Sequence, residues 1–324
     1  MYPLKFDNKY VEKIWGGNKL RSYRDNLVEG KIGESWDVSA QNKALSIVKN
    51  GKFAGSTLKE LVEKYPEKIL GTEIDSAEFP LLLKILDSES QLSIQVHPDD
   101  EYTANIKGES GKTEAWYIMD AAEDAYLIIG AKNCSREEFK KSVKNNEINK
   151  YINKVKVKKG DVFFIKAGLL HAIGPGILLA EIQQSSDTTY RIYDYGRGRK
   201  LDLDKGMDAI DFSLNSFRRK GLKIESKDYD YKYLCLNDKF ALDLIDIKRI
   251  FRSKGKRERF NILTVVEGEG VIKWEDQSLK LNTADSLLIP AYSKDFQIKG
   301  ELKIVNSYVP DIDQNRKDIL SIIE

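Results

Sequence analysis

His97 and His171 are the only histidines in 324 residues. His97 closes the run Gln91-Leu-Ser-Ile-Gln-Val-His97, in which Ser93, Gln95 and His97 alternate with Leu92, Ile94 and Val96. A strand turns successive side chains to opposite faces, so this spacing predicts three polar groups in a row on one face. Zinc and other borderline ions take imidazole, carboxylate and amide oxygen where no thiolate is offered. Gln95 and His97 supply two such ligands from one strand, Glu114 in Gly111-Lys-Thr-Glu114 a third and His171 a fourth. Taken singly, each histidine reads equally as a plain surface or core residue. A metal site in this chain requires both.

Charged residues near these segments suggest what the site would handle. Lys112 and Glu114 have the same parity, as do Glu181 and Gln183 in Leu179-Ala-Glu-Ile-Gln183, and Arg191 follows in Thr188-Thr-Tyr-Arg191. Lys84 stands alone in the apolar run Phe79-Pro-Leu-Leu-Leu-Lys-Ile-Leu-Asp87, where its ammonium must reach solvent or an anion. Any one of these could be a solvated surface charge. Several cations beside a neutral metal pocket instead suggest an anionic substrate, and phosphate suits both Arg and Lys.

Two other stretches are decoys. Gly108-Glu-Ser-Gly-Lys-Thr113 imitates the end of a phosphate-binding loop, but the required first glycine would fall on Ile106. The basic stretch from Lys248 to Arg259 is interrupted by Glu258 and poor in aromatics, so it reads as a solvated face and not as a nucleic-acid surface.

The elements that must position these residues are mostly short strands. Glycine-punctuated runs to about Asn50, the buried run 79–87, the pair 115–119 and 125–130, the alternating Lys154-Val-Lys-Val-Lys158, and 161–165 continuing through 177–184 all fit strands. In the last third, 261–266, 270–274 and 286–289 do the same. Capping boxes at Thr57-Leu-Lys-Glu60 and Ser135-Arg-Glu-Glu138 predict helical insertions at about 56–70 and 135–153, with further helices at 203–212 and 311–323. The charge-rich 217–232 segment reads as a linker. No βαβα alternation is present, so a mainly antiparallel sandwich or barrel is expected rather than a doubly wound sheet.

Composition agrees with a globular chain: 41% hydrophobic, 32% charged, with 53 Lys plus Arg against 51 Asp plus Glu. That near balance gives no strong field for nucleic acid or membrane. No apolar run reaches the length of a membrane span and no signal-peptide pattern opens the chain, so a cytoplasmic protein is expected. Cys134 and Cys235 are far apart and are expected to be free thiols.

Gly160-Asp-Val-Phe-Phe-Ile-Lys-Ala-Gly168-Leu-Leu-His171 resembles the second cupin motif, with Lys166 where proline is usual. In that double-stranded β-helix the histidine faces the interior and binds metal. More broadly, Tyr10-Val-Glu-Lys-Ile-Trp-Gly-Gly17, Gly33-Glu-Ser-Trp36, Gln91 to Asp100, Gly111-Lys-Thr-Glu-Ala-Trp116 and Ala167 through Gly196 resemble the type I phosphomannose isomerases in their short bacterial form.

The resemblance implies a mainly β fold of two cupin-like jelly-roll domains: a catalytic one at 1–225 with helical insertions, and one at 226–324 without a metal site. It implies one Zn2+ per chain on Gln95, His97, Glu114 and His171. Arg191, Lys112 and Glu181 are implied as catalytic residues, and Ser93 and Lys84 as substrate-binding residues. The expected reaction is zinc-dependent interconversion of mannose 6-phosphate and fructose 6-phosphate through an enediol, with a sugar phosphate as the partner and neither nucleic acid nor membrane. Two readings stay open beside it: a cupin iron dioxygenase, since two histidines and a glutamate also make a facial triad, and a sugar-phosphate sensor without turnover.

Overall fold

The computed structural model describes residues 1–24, 27, 29–255 and 257–323. Every strand pairing among them is antiparallel. Three sheets organise the chain. A six-stranded sheet runs Val162–Ile165, Glu114–Ala121, Ile177–Gln184 and Leu81–Ser88, and ends in Ile32–Val38 and Lys9–Gly17, which pair with each other and with Leu81–Ser88. A five-stranded sheet runs Tyr190–Tyr193, Ile94–Val96, His171–Ile173, Tyr126–Ala131 and Ile152–Lys156. These two sheets share a core: Trp116, Ile118, Phe163 and Leu179 of the first pack with Leu127, Ile129 and Ile173 of the second.

The third sheet has ten strands and contains most of the chain beyond residue 221. It also takes in Leu4–Asp7, paired with Ser286–Ile289, and Ile47–Val48. The chain is therefore a mainly β, cupin-type molecule with a few inserted helices. Among the described residues no helix is long and apolar enough to cross a membrane.

Both predicted capping boxes are formed. Thr57 and Glu60 cap Leu58–Lys64, and Ser135 and Glu138 cap Arg136–Lys144, by reciprocal side-chain and backbone bonds. Pro66 ends the first helix and opens a second, Pro66–Leu70, where its missing N–H is harmless at the first position.

Three expectations are corrected. The 217–232 segment is not a linker: Leu222–Ile224 and the start of Tyr229–Leu236 lie in the ten-stranded sheet, because Tyr229, Tyr231 and Tyr233 alternate with charges and pack on one face. The helical insertion ends earlier than 153, since Ile152 already pairs with Ala131. The 261–266 and 270–274 runs are one strand, Asn261–Trp274, bulged at Val265 to Glu267. Lys256, within the basic stretch, lies outside the described residues.

Candidate active site

Leu81–Ser88 is buried along its whole length, and its neighbour Ile177–Gln184 nearly so. Their register sets Lys84 opposite Glu181, and Glu181 opposite Trp116 on the next strand. Glu114 begins that strand, opposite Ile165 and Gln183. In the partner sheet, Gln95 pairs with His171 on one side and with Arg191 on the other. Packing the two sheets brings a carboxylate from one to two imidazoles of the other.

One ligand atom each of His97, Glu114 and His171 lies within 4.8 Å of the others, and all three residues are buried. Nε2 of His97 is 3.4 Å from Glu114 Oε2, and Nε2 of His171 is 3.5 Å from Oε1. The Gln95 carboxamide reaches to 3.3 Å from His171 Nε2. A half-turn of that amide presents its oxygen at the same place. Ligands about 2.1 Å from a shared ion in tetrahedral array stand about 3.4 Å apart, so the imidazole–carboxylate separations fit a metal ion held by nitrogen and oxygen ligands.

Protonation fits as well. A backbone carbonyl can only accept, so Nδ1 of His97 donates to Thr188 O at 2.9 Å and Nδ1 of His171 to Leu169 O at 2.8 Å. Each Nε2 is then left with its lone pair toward the cluster. Burial, aided by Lys112, pushes the His97 pKa down to about 3, and burial lowers that of His171. Burial alone would raise Glu114, but the Lys112 ammonium, at 2.8 Å from Oε2, holds it well below the usual carboxylate range. Nε2 of His97 and Oε1 of Glu114 have no hydrogen-bond partner among the described residues. Each such buried orphan costs about 1–3 kcal/mol, a cost that a bound cation removes.

The remaining expected residues surround this cluster. Lys112 Nζ is 3.9 Å from Glu181 Oε1, and Trp116 Nε1 donates to Glu181 Oε2 at 2.9 Å while its ring meets His171 edge-on. Burial, then Glu114, raises the Glu181 pKa above the ordinary value. Arg191 Nε donates to Ser93 Oγ at 3.3 Å and Nη1 to Lys200 O at 2.9 Å. Lys84 is buried, its ammonium 4.1 Å from the Trp36 ring centre and 3.8 Å from Asp187 Oδ1, and burial lowers its pKa to about 8. Against burial, Lys84 and Lys13 hold Glu34 at about 2.

All nine expected residues thus fall in one contiguous region. Sequence reasoning assigned no site role to four of its neighbours, Trp36, Lys43, Trp116 and Asp187, although Trp36 and Trp116 stand in two of the motifs that carry the family resemblance. Asp187 pairs with both Lys43 and Lys84. Together with Lys43, Thr188 and Lys200 it lines a surface cleft of about 620 Å³. Its only sequence signal is its place in a polar turn, Ser185-Ser-Asp187-Thr, between two strands.

Comparison with known proteins gives a concordant picture. Residues 3–132 match the family model for the phosphomannose isomerase type I catalytic domain, and residues 230–309 that for the mannose-6-phosphate isomerase cupin domain. The mannose-6-phosphate isomerase ManA of Bacillus subtilis is 35% identical over 315 residues, covering 95% of this chain and 99% of the relative. That of Streptococcus mutans is 34% identical over 313 residues, covering 94% and 98%. The crystal structure of the mannose 6-phosphate isomerase from Bacillus subtilis superposes with a TM-score of 0.89, covering 95% of this chain and 99% of that one.

Proposed function

The chain belongs to the type I phosphomannose isomerase family, and from that premise we propose that it interconverts mannose 6-phosphate and fructose 6-phosphate at the His97, Glu114 and His171 cluster. The observation that carries the reading is the buried trio with its unpartnered ligand atoms, set among Lys112, Glu181, Lys84 and Arg191. The isomerisation moves one proton between C2 and C1 and another between the two oxygens, through an enediol. It needs a base, stabilisation of negative charge on oxygen, and a grip on the phosphate.

A zinc ion held by Gln95, His97, Glu114 and His171, one per chain, would supply Lewis-acid polarisation of the sugar oxygens. Lys112 and Glu181 supply the proton-transfer capacity: burial and Glu114 raise the Glu181 carboxyl so that it can take up and release a proton, while Glu114 and Glu181 keep Lys112 a cation beside it. Arg191 offers a fixed positive charge to the enediolate oxygen. Ser93 and Lys84 bind the sugar phosphate, and Asp187 limits how far the Lys84 ammonium strays. A cytoplasmic place of action belongs to the same proposal.

The test is incubation with mannose 6-phosphate under nitrogen, with and without a chelator, following fructose 6-phosphate. Chelator-sensitive product without oxygen is expected. Absence of product from folded, zinc-loaded protein overturns the reading, and so does a strict need for oxygen, which would favour the dioxygenase alternative.

A further inference from the structure

Residues 226–324 contain no histidine, yet the ten-stranded sheet that they largely form holds a second cavity of about 290 Å³, lined from Tyr231 through Phe296 to Asn306. We propose that this cavity is a second, non-catalytic binding site for a small hydroxylated organic anion of sugar-phosphate or sugar-acid class.

Three observations point to a ligand. Asn306 and Ser293 line the cavity, are 7% and 6% exposed, and leave Oδ1 and Oγ without a hydrogen-bond partner among the described residues. Such groups stay buried only when something supplies the missing bond. Next, the wall carries Arg252, Lys254 and Arg259 and, among the described residues, no carboxylate. Glu73 and Asn315 engage Arg259 from outside the wall. Arg252 and Lys254 have no ion-pair partner among the described residues, and Asp295 is turned to the Gly255 N–H. Buried Asp243, opposite Asn306 on the neighbouring strand, is occupied by the Tyr231 hydroxyl at 2.6 Å. Positive charge is therefore in excess at the mouth.

Finally, Phe251, Leu263 and Phe296 give the same cavity an apolar side. Water alone satisfies Asn306 and Ser293 but gains little from that side. A sugar-like molecule presents hydroxyls to one wall, C–H groups to the other and its charge to the mouth, which is the mixed lining that small-molecule sites use. The volume suits a ligand of about six carbons.

Equilibrium dialysis of the zinc-loaded protein against fructose 6-phosphate counts bound hexose phosphate whichever isomer is present. Two equivalents per chain are expected for the wild type and one for the exposed pair Arg252→Glu/Lys254→Glu. Because the readout is the difference between the two proteins, it stands whether or not the catalytic cluster turns the sugar over. Gluconate and inorganic phosphate, dialysed separately, tell which part of the ligand the cavity reads. Asn306→Ala should lose the same equivalent, and the surface pair still decides if that variant does not fold. Equal binding by wild type and the double charge reversal, or no binding of any of the three probes at the cavity, assigns it to water and overturns the proposal.

Discussion

Arg191 and Lys84 are both cations at the site, but they differ in the chemistry that their surroundings permit. Arg191 is half-exposed and held by Ser93 and the Lys200 carbonyl, a placement that keeps a permanent charge in a fixed direction. Removing one such charge stabiliser typically lowers turnover about a hundredfold to a thousandfold. Arg191→Ala is expected to lose kcat in that range while keeping zinc and its melting temperature; near-normal turnover would deny Arg191 its role. Lys84 is instead a titrating group. Burial lowers its pKa to about 8, so it is a cation below that pH and neutral above it. The cation proposed to bind the phosphate is then lost as pH rises. We expect kcat/KM, which reports the free enzyme's groups, to fall above about pH 8, and Lys84→Gln to abolish that fall along with much of the affinity. A profile unchanged by the substitution would remove Lys84 from the binding site.

At the scale of elements, the turn between Val162–Ile165 and His171–Ile173 does two things at once. Gly168 adopts φ +88°, and its N–H donates to the backbone carbonyl of His97 at 2.8 Å. One residue later, the Leu169 carbonyl accepts from His171 Nδ1. A Cβ at position 168 would stand 3.3 Å from Leu214 Cδ1 in a conformation that costs an L residue about 1–2 kcal/mol. Gly168→Ala should therefore weaken zinc binding as well as stability, read by metal titration and thermal melting. Thr57→Ala is the contrasting case. It breaks the cap of Leu58–Lys64 and should cost about 1 kcal/mol of stability without changing zinc affinity. Equal zinc affinity in both variants would mean that the turn does not position His171.

Across the whole molecule, the two sequence halves do not keep separate interiors. One core cluster contains Leu83, Tyr117, Val162 and Leu178 from the first half and Phe240, Ile262, Leu288 and Val305 from the second. Leu4 and Phe6 enter it from the strand Leu4–Asp7, which pairs with both Ser286–Ile289 and Ile47–Val48. At the same junction Arg24 and Asp37 form a buried ion pair at 2.5 Å, and Ser286 Oγ donates to Asp37 at 2.8 Å. We keep 1–225 and 226–324 as a proposed division of motifs. With a shared core, denaturant unfolding followed by tryptophan fluorescence and by far-ultraviolet circular dichroism should give coincident single transitions. Two separated transitions would show that the halves fold independently.

The sequence by itself marked the candidate ligands, because a metal accepts few residue types and strand parity is a local property of the backbone. With two histidines in the chain, a metal site needs both; strand parity adds Gln95, local spacing gives the capping boxes, and the family resemblance implies the full set with Glu114. Only the tertiary structure decided the rest. Asp187 and Trp36 meet at Lys84 because of the register between distant strands and the path of a polar turn, neither of which leaves a periodic trace. The same limit explains the mistaken linker at 217–232. A charge-rich segment looks like solvent-facing coil until its pairing is known: Leu222–Ile224 is an edge strand beside Tyr229–Leu236, which in turn pairs with Ala241–Ile247. Local chemistry selects the residues, and long-range pairing selects their neighbours.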